Sequence, residues 1–299
     1  MCAAHPSRTP LEYDVTCFTT QKRVWKLRKN VEIDTTAKVH PEAKLAEGVK
    51  VGAFTVVGPH VEIGEGTRIG NNCTVTGHTK IGRNNQIFSS VVIGSHPQDI
   101  TYKQEPTQLI IGDNNRFREF VTVNIGTEKG GGVTQIGGDC MFMACSHVAH
   151  DCNVGDGVIL INNALIAGHV SVEDNAVLNG AAAVNQFVTV GKWSYIGGLT
   201  RIVQDVPPFT IIEGHPARIR GINVIGLHRG GFTEERIEAL KNAHKFIFRS
   251  SQIQSRALRE LEEHNNLTEE VRYLIEFLRR REKGKSGRWR ETQRLKKNA

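Results

Sequence analysis

Between Ala144 and Cys152 the chain reads ACSHVAHDC, which places Cys145, His147, His150, Asp151 and Cys152 within nine residues. Several chemistries use these residue types. Cysteines and histidines at short spacing are zinc ligands. A cysteine beside a histidine is a nucleophile with its base. A histidine beside a carboxylate is a general base, because imidazole titrates near neutral pH and the carboxylate fixes its tautomer and stabilises the imidazolium. The bland alternative is that the histidines cap turns or pack between subunits while the cysteines fill a core. Which reading holds depends on which side chains face the same way, and therefore on the element that carries them.

A six-residue repeat sets that element. Counting in sixes from Ile33, eleven successive positions through Ile93 are Leu, Ile or Val, and the series resumes in phase at Ile111, Phe117 and Val123. After GTEKGGG (Gly126 to Gly132) it shifts by one residue and runs from Ile136 through Phe142, Val148, Val154 and Leu160 to Ile202. Neither a helix nor a simple strand sustains this period. Four residues after each aliphatic the side chain is usually small or β-branched, as at Thr55, Cys73, Cys140, Cys152, Ala164 and Ala182, and Gly often follows the aliphatic directly. That is the hexapeptide repeat of a parallel β-helix, in which three units make an eighteen-residue triangular coil. Coils stack at the strand spacing of about 4.8 Å and bury a continuous apolar column. The repeat class is left-handed, although spacing alone does not show the hand. The fold class expected is mainly β: a left-handed parallel β-helix over 31–208, then a linker and small α-helical C-terminal domain over 209–278.

The register sorts the opening cluster. Cys73, Cys140 and Cys152 fall in the small inward column and read as core fillers, while His147 and His150 point outward. Four ligands therefore cannot converge on zinc without breaking the coil, and no metal is expected. Residues eighteen apart stack, so His150, Gly168 and Gln186 form one column, Asp151, His169 and Phe187 the next, and His147, Leu165 and Ala183 a third. An imidazole, a carboxylate, a second imidazole and an amide thus share one outer edge, with a glycine leaving the His150 edge open. The set suits general-base catalysis, with the Gly168 N–H as an oxyanion donor. No serine is placed as a nucleophile in that column, which favours direct attack by a substrate hydroxyl. The stretch GSHPQDITYKQEPTQL between Ile93 and Ile111 lacks the aliphatic at Asp99 and Glu105, so a loop is expected there. GTEKGGG is a second, and loops on a rigid scaffold are where function tends to sit.

Pro207 and Pro208 end the ladder pattern, and three helical segments follow: TEERIEALKNAHKFIFRS with Thr233 as N-cap, SRALRELEEH and TEEVRYLIEFLRRR. The net charge of +7 belongs to the C-terminal stretch 279–299, which holds ten Lys/Arg against two Glu. It reads as a solvated basic tail that could touch an anionic membrane surface; no nucleic-acid partner is expected. Six cysteines without a CxxC pair suit a reducing, cytoplasmic setting. Residues 1–30 lack a secretory apolar segment and read as an unstructured leader, whose Lys/Arg and Ser/Thr content also suits an organelle transit peptide.

The segments HVAHDCNVG, TGHTKIG, QDITYKQEPT, AGHVSVED, AVNQF and QDVPPF resemble the acyl-[acyl-carrier-protein]–UDP-N-acetylglucosamine O-acyltransferases of lipid A biosynthesis, from about Val31 to Ser250. The resemblance implies a homotrimer with active sites between parallel solenoids. It implies transfer of an (R)-3-hydroxyacyl group from the phosphopantetheine of acyl carrier protein to the 3-hydroxyl of the UDP-sugar, without any other cofactor. His150 would be the base, Asp151 its orienting partner and Gly168 the oxyanion donor. Gln98 and Asp99 would contact the sugar, and His147, His169, Gln186, Asn223 and Arg229 would line the cleft. Gly198 matches the position that limits acyl length. Thr101 stands where the family usually has Lys, Asn124 and Asn185 where it has His, Ile225 where it has Glu, and Gly230 where it has a second Arg. These neutral replacements leave two further readings: an acyltransferase on another UDP-sugar, such as a 3-amino analogue, and a non-catalytic trimeric scaffold.

Overall fold

The computed structural model describes residues 30–250, 252–263 and 266–297. The leader expected over 1–30 lies outside them, apart from Asn30. Short parallel strands stack into three sheets of eleven, nine and eight strands, which form the faces of a left-handed triangular prism. Ile33 pairs with Val51, Val51 with Ile69 and Ile69 with Ile87, one coil apart each time. The aliphatic column is buried along the axis, and Phe117 stacks on Phe142 with ring centroids 4.7 Å apart. Burying each such side chain contributes about 1.5–3 kcal/mol, and truncating one to Ala costs about 2–5 kcal/mol. The inward small column is as expected: Cys73, Cys140 and Cys152 are buried, and their thiols donate to backbone carbonyls.

Two insertions interrupt the stack. Ile87 pairs with Phe117 across thirty residues instead of eighteen, because twelve are looped out over 96–107. Twelve is a multiple of six, so the aliphatic series resumes in phase. Phe117 pairs with Phe142 across twenty-five residues, because seven are looped out over 126–132. Seven exceeds six by one, which is the phase shift visible in the sequence. Both insertions leave at the corner between the nine-stranded and eight-stranded sheets. His150 and Asp151 turn that same corner one coil later.

Most corners are turned by a left-handed residue, including Asn72, Cys145, Asp151, Asn163, His169 and Phe187, with φ between 56° and 64°. Non-glycine residues rarely adopt this region. Because the coil uses it at most of its corners, the conformation of Asp151 and His169 belongs to the coil and is not particular to the site.

The expected end of the solenoid at 208 is one strand early. Val206 bridges to Val190, the two prolines occupy the turn where no ladder N–H is needed, and Thr210–Glu213 adds a further parallel strand beside Tyr195–Ile196. Arg218–Ile222 then pairs antiparallel and closes that sheet. Five helices follow: α1 Val224–Arg229, α2 Glu234–Phe248, α3 Gln254–Glu262, α4 Glu269–Glu282 and α5 Trp289–Lys297. Thr233 caps α2 as expected, its hydroxyl accepting from the Arg236 N–H. Leu227, Ile237, Leu240, Leu258, Leu274 and Leu278 form a second core against Phe209 and Ile222. Among the described residues no helix is long and apolar enough to cross a membrane.

The free basic tail expected over 279–299 is corrected. α4 continues through Glu282, and α5 folds back onto the solenoid. The charge is spent locally: Arg279 pairs with Glu262, Arg281 donates to Gln204, and Arg288 pairs with Glu291 while donating to the Val203 carbonyl. The Trp289 N–H donates to Asp205 at 2.9 Å. These arginines face protein, whereas Lys283, Lys285 and Arg294 stay exposed.

Candidate active site

The corner that carries both insertions also carries the predicted base. His150 is 8% exposed, and its Nδ1 lies 2.7 Å from Asp151 Oδ2. Asp151 is held from the second insertion: the Thr127 N–H donates to Oδ1 at 2.7 Å and the Thr127 hydroxyl to Oδ2 at 2.6 Å. The Asp151 N–H donates to Thr134 Oγ1. Burial pushes the Asp151 carboxyl up, but the bonds from His150 and Thr127 outweigh it and hold the group below the usual carboxylate range. An ionised carboxylate only accepts, so Nδ1 of His150 carries the hydrogen and Nε2 is left as the basic nitrogen.

Gly168 is buried directly above, and a Cβ there would lie 2.6 Å from the His150 ring. The glycine therefore makes room for the imidazole. Its N–H donates to no group among the described residues, whereas the neighbouring His169 N–H donates to the His150 carbonyl. His169 meets His150 edge-on with centroids 5.2 Å apart, and its Nδ1 is 3.7 Å from Asp151 Oδ2. Phe187 stacks on His169 at 4.4 Å. Burial first, with Arg290 and Arg294 of α5 adding to it against the pull of Asp151, pushes the His169 pKa down to about 4. Arg290 Nε donates to the His169 carbonyl, and the Arg294 guanidinium lies over Phe187 at 5.0 Å. α5 is thus a wall of the same edge.

His147 lies one strand before, with Nδ1 2.7 Å from Thr122 Oγ1. Burial pushes its pKa down. Asp99 Oδ1 accepts from the Thr101 N–H and hydroxyl at 2.8 and 2.7 Å. Those bonds hold the Asp99 carboxyl low, with His150 and Lys129 adding to them, so Asp99 is within electrostatic reach of the base. Gln98 and Gln186 are exposed on the same edge.

Other predicted residues lie elsewhere. Asn223 caps α1, accepting from the Gly226 N–H and donating to the Trp193 carbonyl, and Arg229 is exposed at the far end of that helix. Gly198 is on a different corner, the one turned by Asn72, Cys145, Asn163 and Leu199. Within one chain, then, it faces away from His150.

The departures have local causes in two places. Asn124 is buried and donates to Ser95 Oγ and the His96 carbonyl, which anchors the start of the first insertion. A Cβ at Gly230 would overlap the Trp193 indole, so a bulkier residue does not fit there. The zinc reading fails geometrically because Cys152 faces the core, where burial pushes its thiol up to about 12. His150, Asp151 and His169 do bring ligand atoms within 4.8 Å of one another, and each Asp151 oxygen also accepts a bond from Thr127.

Thr127, Gly130 and Arg290 were not singled out from the sequence. Their contacts with Asp151 and His169 span 24 residues for Thr127 and 121 for Arg290, which no local pattern reports. The one available signal was GTEKGGG itself, a glycine-rich insertion one coil before the cluster.

A hexapeptide transferase model matches residues 42–77, and one described as UDP N-acetylglucosamine O-acyltransferase, domain 2, matches residues 205–286. An acyl-[acyl-carrier-protein]–UDP-N-acetylglucosamine O-acyltransferase of Anaeromyxobacter sp. (strain K) is 46% identical over 188 residues, 63% of this chain and 73% of that protein. One from Burkholderia mallei (strain SAVP1) is 48% identical over 155 residues, 52% and 59% of the two chains. The solved UDP-N-acetylglucosamine acyltransferase of Bacteroides fragilis superposes with a TM-score of 0.80 at 38% identity, covering 82% of this chain and 96% of the other. The Arabidopsis enzyme superposes with a TM-score of 0.71 at 35% identity, covering 82% and 94%. With 46% identity to a relative covered over 73% of its length and superposition of solved family structures over 82% of this chain, the chain belongs to the acyl-[acyl-carrier-protein]–UDP-N-acetylglucosamine O-acyltransferase family.

Proposed function

We propose that this chain is a cytoplasmic enzyme that transfers an (R)-3-hydroxyacyl group from acyl carrier protein to the 3-hydroxyl of UDP-N-acetylglucosamine, the first step of lipid A biosynthesis. The observation that carries the reading is the His150–Asp151 pair at 2.7 Å, with the imidazole seated on Gly168. Nε2 of His150 takes the proton of the sugar hydroxyl as its oxygen attacks the thioester carbonyl. The Gly168 N–H receives the oxyanion of the tetrahedral intermediate. Collapse breaks the C–S bond, and the proton on Nε2 passes to the departing thiolate. The protein's own groups supply every proton movement, without metal or cofactor beyond the donor's phosphopantetheine.

A homotrimer completes the site in this reading. Along the corner opposite the base, Phe54, Phe120 and Leu199 are 65%, 62% and 81% exposed. These three side chains are spaced along the corner, with Asn72, Ser90 and Asn163 between them, and a second copy packed on it would cover them. Gly198 lies on that corner, so it would meet the acyl chain of a neighbouring copy's His150.

The test is transfer from an (R)-3-hydroxyacyl carrier protein, wild type beside His150→Ala, with UDP-N-acetylglucosamine and its 3-amino analogue as acceptors. Turnover that falls about 10²–10⁴-fold in the variant supports the reading, and the better acceptor names the substrate. A folded protein that neither turns over nor binds a UDP-sugar is a scaffold instead.

A further inference from the structure

Lys129 sits at the tip of the second insertion, in the single helical turn Glu128–Gly130 that Thr127 caps. Its Nζ donates to Thr101 Oγ1 at 2.6 Å, and that hydroxyl donates onward to Asp99 Oδ1 at 2.7 Å. The two insertions are thereby joined across the edge by an ammonium, a hydroxyl and a carboxylate in series. Lys129 is exposed, and among the described residues no carboxylate pairs with it. Two of its three N–H donors are therefore unused. Asp99 is within electrostatic reach of both this ammonium and His150.

An exposed lysine is ordinarily mobile and contributes little when fixed. Here a hydroxyl on the facing loop holds the ammonium in place with its remaining donors outward. We propose that Lys129 is a phosphate-binding residue of this edge, positioned by Thr101 and Asp99 to receive a phosphate oxyanion of the substrate while His150 acts on the hydroxyl. The inference rests on the acyl-transfer reading, whose acceptor carries a diphosphate and whose donor carries a phosphodiester. Since Thr127 of the same turn clamps Asp151, filling the phosphate seat also steadies the carboxylate that orients the base.

Full-length wild type, Lys129→Met, Lys129→Arg and Thr101→Val are compared in steady-state transfer, varying UDP-N-acetylglucosamine and then an (R)-3-hydroxyacyl phosphopantetheine free of carrier protein. Equilibrium binding of UDP and uridine runs alongside. Lys129→Met should raise one substrate's KM about tenfold, a single charge-assisted contact, with a much smaller change in kcat. Lys129→Arg should recover most of that loss, and Thr101→Val should lose about threefold. If the acceptor's KM moves and UDP binding weakens while uridine binding does not, the oxyanion is the nucleotide's. If only the donor's KM moves, it is the phosphopantetheine's. A Lys129→Met enzyme with both KM values at wild type, or one that loses kcat and melting temperature together at constant KM, overturns the proposal and makes Lys129 a brace between loops. A wild type that turns over neither substrate would instead sink the acyl-transfer reading, so the two failures are distinct.

Discussion

The two insertions leave the prism at the same corner, one coil apart, yet they do opposite work. Residues 96–107 are tied down at their two ends, where the His96 carbonyl accepts from Asn124 and Thr107 donates to the Gly126 carbonyl, while between them the loop stays outside: apart from Thr101 with Lys129, its polar contacts there run within the loop, as between Asp99 and Thr101 or Tyr102 and the Glu105 carbonyl. Residues 126–132 reach inward and close on a carboxylate that has no exposed side-chain surface. An inward loop pays the cost of burying Asp151 by supplying its donors, because an unpaired buried charge would be expensive. An outward loop has no such debt and is open to substrate. In this edge, positioning and binding are divided between two loops and joined at Lys129.

That division can be broken at several points. The largest effect is expected from Gly130→Ala, because a Cβ there would overlap the Asp151 carboxylate. Moving the carboxylate misorients His150, and kcat should fall by about 10²–10³-fold; near-wild-type kcat would show that the loop yields. Gly168→Ala presses on the His150 imidazole itself, and a loss of about 10²-fold in kcat is expected, measured by the same assay.

Thr127→Val comes next. It removes the 2.6 Å hydroxyl bond to Asp151 but keeps the backbone donor. A stability loss of about 1–3 kcal/mol, read by denaturant unfolding, should accompany a fall of about tenfold in kcat. The matching change in the outer loop, Thr101→Val, should leave stability within about 0.5 kcal/mol. If the two variants destabilise equally, the contrast between the loops is wrong.

The smallest effect concerns pH. As pH falls, the unfolded chain protonates His169 near 6.5, whereas the folded chain resists until about 4. Between these values the unfolded state holds more protons, so stability rises with pH there. Asp205, raised to about 6 by burial from an ordinary 3.8, works in the opposite sense over 3.8–6, since the folded chain then holds the extra proton. His169→Gln should therefore flatten or reverse the rise of melting temperature between pH 4 and 6.5. An unchanged profile would mean that His169 is solvated.

The solenoid was legible because its core is periodic: the series from Ile33 to Ile202 gives both the coil and the lengths of the insertions. The candidate corner was legible for the same reason, since eighteen-residue stacking brings His150 to Gly168 and Asp151 to His169. Counting coil positions would also have placed both insertions on that corner. α5 was not legible. WRETQRLKK offers almost no apolar face, and the segment is held by guanidinium contacts, a backbone N–H to Asp205 and a carbonyl of His169. Gly198 was assigned from resemblance alone, and its corner shows that within one chain it is remote from the base. Asn223 illustrates the same limit: its oxygen caps α1 at Gly226, but its amide nitrogen donates to the carbonyl of Trp193, thirty residues earlier.

The contact of Arg290 with the His169 carbonyl spans 121 residues, and this bears on when the edge is finished during synthesis. Translation at roughly 5–20 residues per second lays down the coil of His150 and His169 first. Arg290 follows about 6–24 s later, before any passage through the ribosome is counted. For that interval the imidazole column stands without its α5 wall, and the nascent prism carries the acid–base pair while its flank is open. The order of synthesis thus separates the birth of the His150–Asp151 corner from its completion.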